Sequence, residues 1–318
     1  MRAKVIHTGR IALGILASIT LGWLALRGVE LQLVINSFSR ISPAMLILSL
    51  LVFMGASYLR AARWRLMFLS DEISIGRLFI VQHEGLGLSN VMPLRVASEI
   101  TQLAVLTLRD GIKRANAIAA LGMERIVDAI ASTSLLGASF FLVPEMQELG
   151  VLLWGTISMV AVMVTVLIAL VWGTQTFAFA RRVAFVADIS DSVTLLWHHR
   201  GRLAISLAMS YGYWILVGLT AWIIAEAIDL QITPISATLV IMGTIFFATA
   251  VPAAPAAAGT FEFAVVYVLG ILGIDKAEGF SYAIIIHALL FLPATVIAAV
   301  FLPREGVISL RGKLTPTP

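Results

Sequence analysis

The run VLLWGTISMVAVMVTVLIALVW, residues 151–172, contains no Asp, Glu, Lys, Arg or His. The hydrocarbon core of a bilayer, ~30 Å thick, is crossed by about 20 apolar helical residues. A run this long and this uniformly apolar has no polar face to turn toward water, so it reads as a transmembrane helix. Outward from it, further apolar stretches lie at 11–26, 43–59, 115–143, 203–225 and 281–302, and two longer ones, 78–108 and 234–273, are interrupted. Composition agrees: of 318 residues, 60% are hydrophobic and 13% charged, against about 25% charged in an average soluble domain, and the mean hydropathy is +0.98. No polar block is large enough to fold by itself in water, which excludes a soluble enzyme. The expectation is an all-α, polytopic membrane helix bundle in one integral domain, 1–303, followed by a cytoplasmic tail, 304–318, that ends Thr-Pro-Thr-Pro and is expected to be disordered. The chain has no cysteine, which removes disulfides and thiolate metal sites.

Lys and Arg set the orientation. Arg2, Lys4 and Arg10 precede the first span, Arg60, Arg63, Arg65 and Arg77 follow the second, and Arg109, Lys113 and Arg114 precede the third. Arg181, Arg182, Arg200 and Arg202 separate the fourth from the fifth, and Arg304, Arg311 and Lys313 lie in the tail. The opposite loops hold only Arg27, Arg40 and Lys276, among more numerous acids such as Glu30, Glu226 and Asp275. Both termini are therefore expected in the cytoplasm, in an inner membrane, with about six full spans. This works only if 78–108 and 234–273 each leave and return on one side, as two re-entrant helical hairpins, the first from the cytoplasm and the second from outside. The basic start could pass for a signal peptide, but no small-residue cleavage site precedes Arg27, so the first span reads as retained. A pI near 9.7 then suits anionic lipid headgroups rather than nucleic acid, because the basic residues sit between spans. Trp23, Trp154 and Trp222 at outer ends, and Tyr58, Trp64 and Trp172 at inner ends, read as interfacial anchors. Between Arg181 and Arg200, the spacing of Val186, Ile189, Val193 and Trp197 predicts an amphipathic helix on the inner surface.

Charge inside an apolar stretch costs at least ~2.5 kcal/mol per group at a helix centre, so such residues point to function. The first set lies in HEGLGLSNVMPLRVASEITQ, 83–102: His83, Glu84, Asn90, Arg95 and Glu99, with Gly85, Gly87, Ser89 and Pro93 expected to break the helix. The second lies in GMERIVDAI, 122–130, where Glu124, Arg125 and Asp128 share a helix face. The third is Glu262 in VPAAPAAAGTFEF, 251–263. Here the helix must stop before Pro252 and, past Pro255 and Gly259, restart near Thr260, presenting N–H groups that can hold an anion such as phosphate. The plainer alternative is that these charges pair among themselves and lock helices together. His287 reads as an ordinary polar residue of the last span, and His198 and His199 as members of the surface helix; no ligand spacing suggests a metal, and no cofactor is expected. Glu84, Glu99, Glu124, Asp128 and Glu262 face only Arg95 and Arg125, an excess of three acids if all ionise, to be offset by protons, a cation or a cationic substrate group.

At these residues the chain resembles the lysylphosphatidylglycerol synthase transmembrane, flippase-like family. The resemblance rests on Asn90, Pro93, Arg95 and Glu99, then Glu124, Arg125 and Asp128, then Pro255, Gly259 and Glu262, with the arginines of YLRAARWRLMF, 58–68, in support. Ser98 stands where the family has a glycine before the glutamate, Gln102 where an arginine is common, and Ala256 and Ala257 where paired glycines follow the proline. The aminoacyl-transferring members carry an additional soluble catalytic domain, which these residues do not include. The resemblance thus implies lipid translocation without the synthetic step: Arg95 and Arg125 hold a headgroup phosphate, and Glu99, Glu124, Asp128 and Glu262 pair with them, bind a cationic group or carry protons. The substrate is expected to be a membrane lipid, phospholipid or polyprenyl-phosphate-linked, and a homo-oligomer is compatible with the sequence. The rival readings are a membrane-embedded lipid or glycosyl transferase and a scaffold for a lipid-modifying enzyme. No nucleotide-binding glycine loop, paired sugar-nucleotide aspartates or metal triad favours the former.

Overall fold

A computed structural model describes residues 2–30, 32, 34–35, 39, 41–69, 72–92, 97–142, 150–177, 183–250 and 254–314. Among them the regular elements are all helical, in the order α1 (Arg2–Leu26), α2 (Pro43–Arg65), α3 (Ile75–Val91), α4 (Ala97–Ala104, continued by a π turn, Val105–Arg109), α5 (Arg114–Leu142), α6 (Gly150–Thr176), α7 (Ala184–His198), α8 (Arg200–Ala227), α9 (Pro234–Ala250), a short 3-10 turn (Pro255–Ala257), α10 (Thr260–Ile271) and α11 (Lys276–Leu314). Among the described residues, four stretches are long and apolar enough to cross a membrane: Pro43–Arg65, Leu153–Thr176, Arg200–Ala227 and Lys276–Gly306. Only 6% of the apolar window in Leu153–Thr176 is buried inside the protein. Lipid is the solvent such a helix requires. The other two expected spans, α1 and α5, are also helices, of 25 and 29 residues; α5 carries the charges of GMERIVDAI, which it turns into the protein.

Both interruptions are helix–break–helix units whose arms touch, α3 with α4 and α9 with α10. The first break falls later than expected. α3 runs unbroken through Gly85, Gly87 and Ser89 and ends at Met92, whose extended backbone (φ −99, ψ 136) is what a following proline imposes. The glycines are contact points instead. A Cβ on Gly85 would lie 2.8 Å from Ser98 O of α4, and one on Gly87 would lie 2.3 Å from Ala294 O of α11, so their bareness lets α3 settle on both neighbours. Gly87→Val should therefore cost about 1–3 kcal/mol of overpacking, read as a lowered thermal midpoint in detergent; an unchanged midpoint would contradict the close approach. The second break agrees with its prolines: α9 ends at Ala250 and α10 begins at Thr260. Pro93, Arg95 and Pro252 lie outside the described residues.

Two cores result. One joins α8–α11 around Ile224, Ile241, Phe261, Leu269 and Tyr282; the other joins α2–α5 and α7 around Trp64, Phe68, Leu78, Leu106 and Met123. They meet where α2 lies along α8 and α3 along α11. At one end of α3, Arg77 pairs with Asp110 (2.9 Å) and Glu305 (2.7 Å), and Arg109 joins Glu305 at 3.0 Å. At the opposite end of α11, Lys276 Nζ donates to Leu24 O (2.8 Å) and Arg27 O (2.6 Å), closing the C terminus of α1.

Three expectations change in detail. Trp64 is 2% exposed and belongs to the core, not to an interface. α7 is the predicted helix, but its Val193 and Leu196 are buried in the bundle core while Trp197 points outward at 58% exposure. The tail is helical from residue 304 to Leu314 as the end of α11; 315–318 lie outside the described residues.

Candidate functional site

Most contacts of the α5 charges run to other helices rather than along their own. They reach across to α2, whose Arg60 and Arg63 are three apart and so share a face. Arg63, fully buried, donates through Nη1 to Asp128 Oδ1 at 2.7 Å and to Ser210 Oγ of α8 at 2.6 Å, and through Nη2 to Glu124 Oε1. Arg60 Nε donates to the same Glu124 oxygen at 3.2 Å, and the ring of Tyr213 on α8 lies 5.6 Å from the Arg60 guanidinium carbon and 5.9 Å from that of Arg63. Arg125 faces outward from the cluster. Its Nη2 donates to Glu99 Oε1 on α4 at 2.6 Å, and its Nε lies 3.7 Å from Glu124 Oε2.

Three arginines and three carboxylates from three helices, α2, α4 and α5, thus form one network with Ser210 and Tyr213 of α8 beside it, closed at Arg63 and open at Arg125 and Glu99, whose side chains are 32% and 41% exposed. Glu124 lies about 15 Å along α5 from its first residue at 1.5 Å per residue, well inside the helix rather than at its end. Arg125 pairs with Glu99 and Asp128 with Arg63. The flanking role given to Arg60 and Arg63 gives way to a place inside the network. They supply two of the positive charges that the interior lacked.

The remaining candidates are dispersed. Asn90 Nδ2 donates to Phe291 O (3.1 Å) and Thr295 Oγ1 (3.0 Å), fastening α3 to α11. Glu84 is fully buried with neither oxygen hydrogen-bonded among the described residues; its charged surroundings are Glu305, Arg77 and Asp110.

Glu262 stands on the first turn of α10, where Oε2 accepts the Gly259 N–H at 2.6 Å. At this helix terminus the anion is the chain's own carboxylate. Its Oε1 meets His287 Nδ1 of α11 at 2.5 Å, and His287 Nε2 meets Ala256 O at 2.9 Å, so His287 is a partner of Glu262 rather than an ordinary polar residue of its span. The break itself is tightly wound: Ala256 (φ 54), Ala257 (φ 56) and Gly259 (φ 80) are all left-handed. That explains why glycines would be at ease there, and α1 docks against it, with Ser18 Oγ 2.6 Å from Ala254 N and 3.1 Å from Thr260 Oγ1. A crevice of about 460 Å³ lies apart from both sites, between α5 and α6, lined by residues such as Ile130, Thr133, Leu153 and Ile157.

No curated protein matches this chain. The family model for the lysylphosphatidylglycerol synthase TM region matches residues 11–298, a range that takes in the α2–α5 network, both breaks and the Glu262–His287 pair. With its apolar spans and this match, the chain is a multi-pass membrane protein and belongs to the lysylphosphatidylglycerol synthase TM region family.

Proposed function

We propose that this protein is a lipid translocase of the cytoplasmic membrane, with six full spans, two re-entrant hairpins and both termini in the cytoplasm. It moves a phosphate-bearing headgroup past the arginine–carboxylate network while the tails stay in the bilayer. The observation that carries this reading is the half-exposed Arg125–Glu99 pair at the edge of an otherwise buried network. A guanidinium offers a planar fork matched to phosphate, and in this pair Glu99 holds the place a phosphate oxygen would take. A headgroup bearing both phosphate and amine would split the pair, phosphate to Arg125 and ammonium to Glu99. Because Glu99 belongs to α4 and Arg125 to α5, substrate entry would then loosen the first hairpin from the span beside it. The deeper Arg60, Arg63, Glu124 and Asp128 hold the scaffold, and Arg95 adds a further cation from the sequence next to the first break.

The test compares lipids retained by the detergent-purified protein, by mass spectrometry, with those retained by Arg125→Ala and Arg95→Ala, alongside translocation of the same lipids in proteoliposomes. The Arg125–Glu99 pair is partly solvated and worth about 0–1 kcal/mol, so Arg125→Ala should fold normally yet lose a distinct phosphate-bearing lipid and its translocation. Retention of bulk membrane lipid alone, the same in all three proteins, with unchanged translocation, would sink the reading. Covalent turnover of the lipid by the wild type would move the protein to the transferases.

A further inference from the structure

We infer that Glu262 and His287 form a proton-binding site that latches the second hairpin to α11, so that one exchangeable proton sets whether the hairpin is held or free. The inference rests on the translocase reading only for what the proton drives; the proton site stands on its own geometry. His287 Nε2 faces Ala256 O at 2.9 Å. A carbonyl oxygen only accepts, so Nε2 carries its hydrogen. Nδ1 faces Glu262 Oε1 at 2.5 Å, and that contact needs one more proton, on either atom. With it, the pair is imidazolium–carboxylate or imidazole–carboxylic acid, and in both forms its net charge is zero. Without it, two lone pairs face each other across 2.5 Å, and the carboxylate keeps its negative charge with the Gly259 N–H as its remaining donor, beside an imidazole packed on Phe261 and Phe291 at 4.7 and 4.3 Å. Facing lone pairs at that distance repel, so proton loss separates the pair. The step breaks one N–H or O–H bond, and the proton passes to water.

Three pieces of chain meet at His287: the left-handed turn at Ala256 through Nε2, and, through the exchangeable proton at Nδ1, the first turn of α10, with α11 carrying the imidazole. The turn stores backbone strain of about 1–2 kcal/mol at each left-handed alanine, and the His287 hydrogen bond to Ala256 O helps hold it. The surrounding elements bring no second charge to the pair among the described residues. α1 contributes Ser18, and α9 has no titratable side chain. On α3, His83 is hydrogen-bonded to Phe79 O, while the charges around Glu84 are Arg77, Asp110 and Glu305. On α11, Tyr282 donates to Ala221 O.

Glu262→Gln provides the test, because a glutamine keeps both contacts: its carbonyl accepts from Gly259 and its NH₂ donates to Nδ1 without a proton to release. With ¹⁵N-histidine-labelled protein in nanodiscs, titrated from about pH 4 to about pH 10, the resonances that vanish in His287→Gln should shift in one transition in the wild type and stay fixed in Glu262→Gln. In proteoliposomes, one proton moving with each lipid shifts the steady-state lipid asymmetry by about tenfold per unit of pH gradient, and Glu262→Gln should abolish that response while melting as the wild type does. Static His287 resonances in the wild type, or a Glu262→Gln protein that still responds to the gradient, overturn the proton site. A wild type whose His287 titrates but which moves no lipid would instead remove the translocase reading and leave the site in place.

Discussion

Replacing Arg63 with methionine is expected to cost about 3–5 kcal/mol, the loss seen when one member of a buried ion pair is removed. Arg63 is fully buried and spans two acids, Asp128 at 2.7 Å and Glu124, with Ser210 as a third acceptor. Without it, Asp128 loses its cation, Glu124 keeps only Arg60 at 3.2 Å and Arg125 at 3.7 Å, and the network carries a net negative charge inside a helix bundle. Arg63→Lys should recover part of the loss, since one ammonium cannot bridge two carboxylates in the geometry of the guanidinium fork. The double change Arg63→Met with Asp128→Leu should recover more, because it removes both members of the 2.7 Å pair together. Thermal unfolding and gel-filtration homogeneity in detergent read the outcome. If Arg63→Met melts with the wild type, the network is not holding α2, α5 and α8 together. The contrast with Arg125→Ala is the useful one: the same chemistry, at the open edge, should spare the fold and alter the lipid.

That contrast also shows what the sequence conceals. The apolar run at 151–172, the order of helices, and the second break at its prolines are all legible, because bilayer thickness and proline geometry act locally on the chain. Glu124 and Asp128 are legible as buried charges for the same reason. Their partners are not. Arg60 and Arg63 sit at the end of an apolar stretch, where the positive-inside rule accounts for any basic residue, and nothing within that stretch separates a topological arginine from one folded inward. The available signal was non-local: two arginines three apart on one helix matching two carboxylates four apart on another, in an interior that otherwise lacked cations. His287 was hidden likewise, since a single histidine in a span takes its meaning from Glu262, 25 positions away. Gly85 and Gly87 misled in the opposite direction. They look like helix breakers, but glycine costs a helix only about 1 kcal/mol, and the close approach of α3 to α4 and α11 outweighs it.

Gly259→Val is expected to undo the second hairpin's seat on α1, for two reasons that add. Gly259 has φ 80, a left-handed conformation that costs an L-residue about 1–2 kcal/mol and a β-branched one more. A Cβ there would also lie 2.2 Å from Ser18 O and 3.2 Å from Gly22 Cα. Both obstacles are backbone of α1, with no flexible side chain to yield, so the loss should reach about 3 kcal/mol or more, seen as a lowered melting midpoint. Gly259→Ala should lie between that variant and the wild type. The neighbouring turn gives the opposite sign. Ala256 and Ala257 hold φ 54 and 56, and changing either to glycine relieves strain that exceeds the added unfolded-state entropy, a gain of about 0.5–1 kcal/mol. A turn so relaxed leans less on the His287 hydrogen bond to Ala256 O, so Ala256→Gly should raise stability while weakening the dependence of translocation on the pH gradient. A Gly259→Val protein that melts as the wild type does, or a destabilising Ala256→Gly, would mean that the break is not wound as described and that α1 does not lean on it.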